Sequence, residues 1–310
     1  MARYLGRRLL LLLVVIYGVI TIAFILMHLT PGDPVLTFLG DKATPQAIAA
    51  LRHQWGLDQS LGKQYLRFLG ETVTGQLGDS VYFRTPIVQL FAVRLPVTLS
   101  LMVLGAVAGV LISVPLAMLA ATRPGVPAQF VRIFNAVVQG MPSFFIGSML
   151  IVLLGLRIRL FPAGGYGDTP LTKLYALILP AITLGIALAP LLVRSMRASM
   201  TEVLSSEFVA FGRSKGLGRK RLMISYVLRN SSISGVSILG IQVGGLAGGA
   251  LVTEQVFALP GMGSMLMTGI LNRDYPVVQA CTLVFAILVV LVYLATDLVY
   301  ALLDPRVRLS

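Results

Sequence analysis

Charge is what this chain has least of. Only 12% of its 310 residues are Asp, Glu, Lys or Arg, against roughly 25% in an ordinary soluble domain. With 56% hydrophobic residues and a mean hydropathy of +0.88, that shortage makes a lipid bilayer the expected solvent. Cysteine is reduced to Cys281, inside an apolar run, which excludes a disulfide framework and a cysteine metal site. Histidine is nearly as scarce. His28 and His53 lack ligand spacing and read as packing or interfacial residues. No G-x-x-x-x-G-K-[ST] phosphate loop occurs, so the chain cannot hydrolyse ATP by itself.

What is present is apolar length. Six segments approach the roughly 20 residues needed to cross the hydrocarbon core, at 9–29, 97–121, 130–156, 174–193, 232–252 and 276–300. Spans two to five carry no Asp, Glu, Lys or His deep inside, which disfavours an ion-coupled carrier. Asp297 and Arg157 stand near span ends. A membrane hydrolase would need a paired nucleophile and base or a ligand cluster, and neither is evident. The first run follows Arg3, Arg7 and Arg8, but it exceeds a signal-peptide core and no A-x-A site follows. It reads as a retained first span.

The formal net charge of +13 invites a nucleic-acid reading. The basic residues, however, lie in short segments between spans, where they set topology. Arg194, Arg197, Arg213, Lys215, Arg219, Lys220, Arg221 and Arg229 share the loop between spans four and five, against Glu202 and Glu207. Arg123, Arg132, Arg306 and Arg308 fall on the same side, while Arg157, Arg159 and Lys173 oppose them. Both termini are therefore expected in the cytoplasm and residues 30–95 outside. That outer segment has an amphipathic stretch at 46–69, enough for a small helical cap but not for an independent domain.

Glycine is concentrated in span five, where Gly240, Gly244 and Gly248 recur every four residues; Gly105 and Gly109 form a shorter copy in span two. Small-xxx-small spacing lets helix backbones approach. The stripe reads either as packing within the chain or, with Ser237 and Gln242 beside it, as a path or sliding surface. Pro115, Pro142, Pro180 and Pro190 are candidate kinks.

The segment 205–217, SSEFVAFGRSKGL, is not needed for anchoring. Ser206 suits a helix start, Glu207 the positive end of the dipole, Arg213 and Lys215 the negative end, and Gly216 a stop. A helix of about nine residues is too short to stand alone in water. It must pack on something, and Phe208, Val209 and Phe211 are the side chains available. That predicts a docking element.

An ordered series of motifs follows. LTPGDP (29–34) comes just after span one, and WGLDQSLGKQYLRFLGETVTGQLGDS (55–80) makes up much of the outer segment. RLPVTLSL (94–101) leads into span two. FPAGGY (161–166), FVAFGRSKGLGRKR (208–221), EQVFALPGMG (254–263), NRDYPVVQA (272–280) and TDLVYALLDPR (296–306) complete it. Together they resemble the permease subunits of bacterial ABC importers for dipeptides, oligopeptides and nickel, over nearly the whole chain.

The resemblance implies an all-α membrane protein with six transmembrane helices and the type I ABC importer (MetI-like) fold. Residues 1–29 would be the first helix, 30–95 an extracytoplasmic segment, and 96–304 a core of five helices with a cytoplasmic coupling loop at 194–229. It implies the bacterial inner membrane as location and a non-catalytic role. The implied partners are a second homologous permease, two ATP-binding subunits or one fused pair, and an extracytoplasmic substrate-binding protein; ATP and Mg2+ are held by the partners. Glu207, Phe208, Val209, Phe211, Gly212, Arg213, Lys215, Gly216 and Leu217 match the family's coupling (EAA) loop. Here Gly212 and Ser214 replace two alanines of its usual core, and each change lowers helix propensity by up to roughly 1 kcal/mol. Pro31, Gly32, Asp33, Pro34, Gly78, Asp79 and Ser80 are candidates for docking or gating with the binding protein. Peptide is the expected substrate, with nickel, glutathione and sugar as alternatives. A channel or ion-coupled carrier is the competing class.

Overall fold

The computed structural model describes residues 2–29, 33–40 and 43–303. The described residues form helices and no β-strand; one isolated bridge joins Asp79 to Pro86. In order the helices are α1 (Ala2–Leu29), α2 (Pro34–Leu39), α3 (Pro45–Trp55), α4 (Leu61–Thr74), α5 (Ile87–Thr122), α6 (Val126–Gln139) and α7 (Ser143–Leu150). They continue with α8 (Pro170–Leu204), α9 (Glu207–Ser214), the short turn α10 (Arg219–Arg221), α11 (Arg229–Val256), α12 (Met262–Leu271) and α13 (Tyr275–Leu303). Wider π-helical turns extend α7 over Ile151–Arg157 and precede α11 over Leu222–Leu228.

Among the described residues four helical stretches are long and apolar enough to cross a membrane: α5, α8, Arg219–Val256 and Tyr275–Thr296. A fifth is α6 with the helix Ser143–Arg157, if a pair bent by 108° is one span. The expected span at 130–156 is thus broken, at one of its candidate kinks. Pro142 is the reason: it lacks an N–H and stands extended at φ −61° and ψ 145°, and the residue before a proline is pushed out of the helical region. Pro180 and Pro190 lie inside α8 without ending it, as neighbouring helices permit in a membrane bundle. For span one, α1 is helical over Ala2–Leu29 and its described apolar stretch is Leu13–Ile25.

The chain divides into two compact units. One comprises residues 98–260 and the described chain from 288 to 303; the other comprises the described residues of 2–97 and 261–287. The first is organised on α8, whose apolar window is 72% buried while the other three spans reach 33–39%. Lipid offers no hydrophobic drive between helices, so close backbone approach has to supply the attraction. Gly105 and Gly109 of α5 meet Leu184, Gly185 and Leu188 of α8. A Cβ on Gly185 would stand 2.7 Å from the Ala108 Cβ and 2.8 Å from the Gly109 nitrogen. At the end leading to α9, Ala117, Ala120, Val131, Val193, Met196, Met200 and Val227 form a buried cluster.

The second unit has its own core of Ile87, Phe91, Met262, Met265, Val277, Ala280 and Cys281. Its short helices are framed by local signals. Asp33 caps α2 and Thr44 caps α3, while Gly56 and Gly75 end α3 and α4 in the left-handed conformation. Helix α4 docks on α1 through a Tyr65–Thr21 hydroxyl bond of 2.6 Å and a Phe24–Phe68 stack at 5.8 Å.

The Gly185 contact involves backbone atoms that cannot step aside. Gly185→Ala is expected to lower stability by about 1–3 kcal/mol, read as a drop in melting temperature of the purified chain in detergent. Gly109→Ala would press on the Leu188 side-chain tip at 3.2 Å and is expected to cost less.

Candidate functional site

Helix α9 forms where the sequence places it, with different internal logic. Ser206 occupies the N-cap at φ −73° and ψ 151°, but its hydroxyl donates back to the Val203 carbonyl at 2.5 Å and caps no α9 amide. The C-terminus closes as a Schellman motif. Gly216 N–H donates to Arg213 O at 2.9 Å and Leu217 N–H to Gly212 O at 3.2 Å, around Gly216 at φ +75°. The glycine is required there by its positive φ.

The side chains of α9 divide by face. Val209 is wholly buried in the cluster with Val193, Met200, Leu222 and Val227, so it anchors the helix to its own chain and is not available for docking. Gly212 is buried beside it: a Cβ there would lie 3.0 Å from Leu222 Cδ1 and 3.3 Å from Leu217 Cδ1. Its lower helix propensity thus accompanies a space restriction. Phe208 and Phe211 stay 44% and 60% exposed. The Lys215 ammonium lies 4.6 Å from the Phe211 ring centroid. Glu207 and Arg213 are exposed as well. The result is an eight-residue helix held from one side with two aromatic rings left over on the other.

The glycines of α11 do not form one surface. A Cβ on Gly240 would overlap the Thr296 side chain, and one on Gly244 would lie 2.7 Å from Tyr293 Cζ. Those two are sites of packing against α13. Gly248 and Gly245 have nothing within 4 Å of such a Cβ, and they share an exposed face with Ile241. Gln242 is half-buried. Gly240 and Gly244 therefore pack against α13, whereas Gly248 has no such neighbour.

Several motifs meet through hydrogen bonds, two of them between buried side chains. Ser80, expected at a docking surface, is 3% exposed and donates to Asp274 Oδ2 at 2.5 Å. The same oxygen accepts the Tyr82 N–H at 2.9 Å, and Oδ1 accepts the Val277 N–H at 3.3 Å. Asp274 therefore caps α13 and pins the 78–87 turn, and Ser80 is buried in that turn. Gly78 and Asp79 remain exposed. In the first unit Thr98 donates to the buried Glu254 carboxylate at 2.6 Å, and Gly165 N–H donates to Phe257 O at 2.9 Å. Neither Asp274 nor Glu254 is among the residues that the motifs marked for a role. Glu254 lay two residues past the expected end of span five, whereas α11 runs to Val256. Acidic residues in otherwise apolar motifs were the available signal, because a buried carboxylate needs partners.

Of the PGDP segment, Pro31 and Gly32 lie outside the described residues, and Pro34 begins α2. Asp33 accepts the Val35 N–H at 2.9 Å and pairs with Arg52. Burial alone would raise its carboxyl, but the Arg52 guanidinium and the Val35 amide more than offset this and hold it below the usual carboxylate range. Among the described residues no three His, Cys, Asp or Glu side chains gather as a metal site.

The architecture matches that of solved importers. A chain of the inward-facing MetNI methionine ABC transporter aligns with a TM-score of 0.59 and 18% identity, covering 71% of this chain and 98% of that one. An amino acid ABC transporter crystallised with histidines gives 0.51 at 15% identity, covering 71% and 95%. The fold is accordingly the helical, MetI-like permease fold of ABC importers.

Residues 1–102 match the N-terminal part of the binding-protein-dependent transport system membrane components, and residues 113–309 match the binding-protein-dependent transport system inner membrane component. The chain belongs to this family, and it is a multi-pass transport component of the inner membrane. The dipeptide transport system permease protein DppB of Lactococcus lactis subsp. cremoris (strain MG1363) is 34% identical over 314 residues, with 100% of each chain covered. The oligopeptide transport system permease protein AppB of Bacillus subtilis (strain 168) is 33% identical over 316 residues, covering 99% and 100%. DppB of Escherichia coli (strain K12) is 34% identical over 336 residues, covering 99% of each.

The two faces of α9 separate in mutation. Val209→Ala removes two buried methyl groups and is expected to cost about 2 kcal/mol of stability. Phe208→Ala and Phe211→Ala should each stay within about 0.5 kcal/mol of the parent; thermal melts of the three variants compare them directly. For Asp33 the lowered value fixes the sign. Its contribution is complete above the unfolded value of 3.8 and is lost as pH falls through the lower folded value. Asp33→Asn should remove that acid-labile part, seen as a flatter dependence of melting temperature on pH below about 4.

Proposed function

We propose that the chain is one of two permease subunits of an ATP-driven importer of short peptides, each lining half of the path. In this reading α1 supplies the first of six spans, both termini are cytoplasmic, and residues 30–95 face outward. The loop 194–229 lies in the cytoplasm, and α9 inserts into a cleft on an ATP-binding subunit. ATP and Mg2+ are held by that partner, and this chain is not itself catalytic. A binding protein delivers substrate on the outer side, where Asp33 and Asp79 are candidate contacts.

The observation that carries this is the division of α9. A helix of eight residues, fixed to its own core by Val209 and stopped by Gly216, keeps two phenylalanines and Lys215 exposed. Exposed aromatic residues on a rigid support are typical binding anchors. Force applied to them passes through the Val209 cluster into α8 and α11. The full-length peptide-permease relatives favour peptide as substrate. The open face of Ile241, Gly245 and Gly248 is the smoothest candidate for the path or the partner permease.

Nucleotide would bias the pair between inward- and outward-facing states. Phe208→Ala or Phe211→Ala is expected to remove about 2 kcal/mol of docking energy. In the assembled transporter, reconstituted with its ATPases and binding protein, that should nearly abolish peptide-stimulated ATP hydrolysis while membrane abundance is unchanged. Full stimulation in both variants would refute the coupling role.

A further inference from the structure

The unit formed by residues 2–97 and 261–287 contains a cavity of about 440 Å3. This is within the range of small-ligand sites and large enough for a short peptide. Its apolar walls include Phe24, Trp55, Phe68 and Tyr275. Four charged side chains line it. Of these, Arg67 and Glu71 neutralise each other at 2.7 Å.

The other two charges are unspent. Asp79 and Arg273 both line the cavity, and among the described residues no hydrogen bond or ion pair engages either side chain. The placement of Arg273 is imposed by its neighbour. Asp274 is fixed by Ser80, Tyr82 and Val277, and Arg273 is held at φ +54° just before it. A non-glycine residue in that region persists only where its surroundings over-determine it. One cation and one anion on aromatic walls match a ligand with two opposite charges and an apolar body.

We propose that this cavity binds a short zwitterionic peptide bearing an apolar side chain, with its carboxylate at Arg273 and its ammonium at Asp79. The choice of a peptide among zwitterions rests on the importer reading above. The site itself rests on the cavity and its two charges.

Trp55 is the only tryptophan of the chain and lines the cavity, so its emission reports occupancy. The full chain in lipid nanodiscs, titrated with alanylleucine, should give a saturable change in Trp55 emission. The N-acetylated, C-amidated dipeptide should bind about tenfold or more weakly, because each charged contact is worth that much. Arg273→Gly suits the positive φ and should fold; it should weaken free alanylleucine about tenfold while leaving the C-amidated form unchanged. Asp79→Asn should weaken the free peptide and leave the N-acetylated form unchanged.

Equal affinity for free and blocked peptide, no saturable response, or wild-type affinity in Arg273→Gly would each overturn the site. Peptide uptake by the assembled transporter is measured in parallel. Uptake without a Trp55 response rejects the cavity and keeps the importer reading. A response without any peptide uptake does the reverse.

Discussion

The contact on which the larger unit depends is the approach of α8 to α5 at Gly185. There the space for one methyl group is already taken by Ala108 and the Gly109 backbone. In lipid this is the available kind of attraction, since burying leucine against leucine gains little over burying it in acyl chains. Gly185 and Gly109 let the two helices close, and α8 becomes the most buried span. Its end beyond Val193 then supplies Met196 and Met200 to the cluster that receives Val209. The position of α9 is therefore a downstream consequence of helix packing among the spans.

Buried carboxylates do comparable work at the ends of elements. Asp274 receives a hydroxyl and two amides, and Glu254 receives the Thr98 hydroxyl. Satisfied in this way a buried acid is directional, because removing a donor leaves a buried oxygen short of a hydrogen bond. Several motifs that resemble the peptide permeases are explained by these bonds. LGDS meets NRD through Ser80 and Asp274, RLPVTL meets EQVF through Thr98 and Glu254, and FPAGGY meets EQVF through Gly165 and Phe257. They are fasteners between segments distant in sequence. Ser80 belongs with them rather than with a docking surface.

Much of this was legible in the chain. The long apolar runs located α5, α8, α11 and α13, because twenty apolar residues have few other uses, but α5 starts at Ile87 and α8 ends at Leu204, well outside the runs at 97–121 and 174–193. Caps and left-handed glycines located α9, since Gly216 permits a stop that other residues resist. The 108° break at Pro142 was visible only as a possible kink, because proline removes a bond without fixing an angle. Pro180 and Pro190 carry the same signal inside α8 and end nothing. The glycine period of α11 was equally ambiguous. Its four-residue spacing puts Gly240, Gly244 and Gly248 on one stripe, but α13 covers only the first two.

By itself the sequence determined the solvent, the approximate position of four spans and the short helix, since each follows from composition or from local backbone preference, while the family followed from the resemblance of an ordered series of motifs. Only the tertiary structure decided which face of that helix is spent. Val209 and Phe208 are adjacent apolar residues with nothing local to distinguish them. Burial in a core assembled from α5, α6, α8 and the turn before α11 made one an anchor and left the other exposed. The same holds for Asp274 and Asp79, both acids in a motif. One is consumed by Ser80 and two backbone amides, and the other is left facing a cavity, because hydrogen-bond partners are assigned by the fold rather than by the chain.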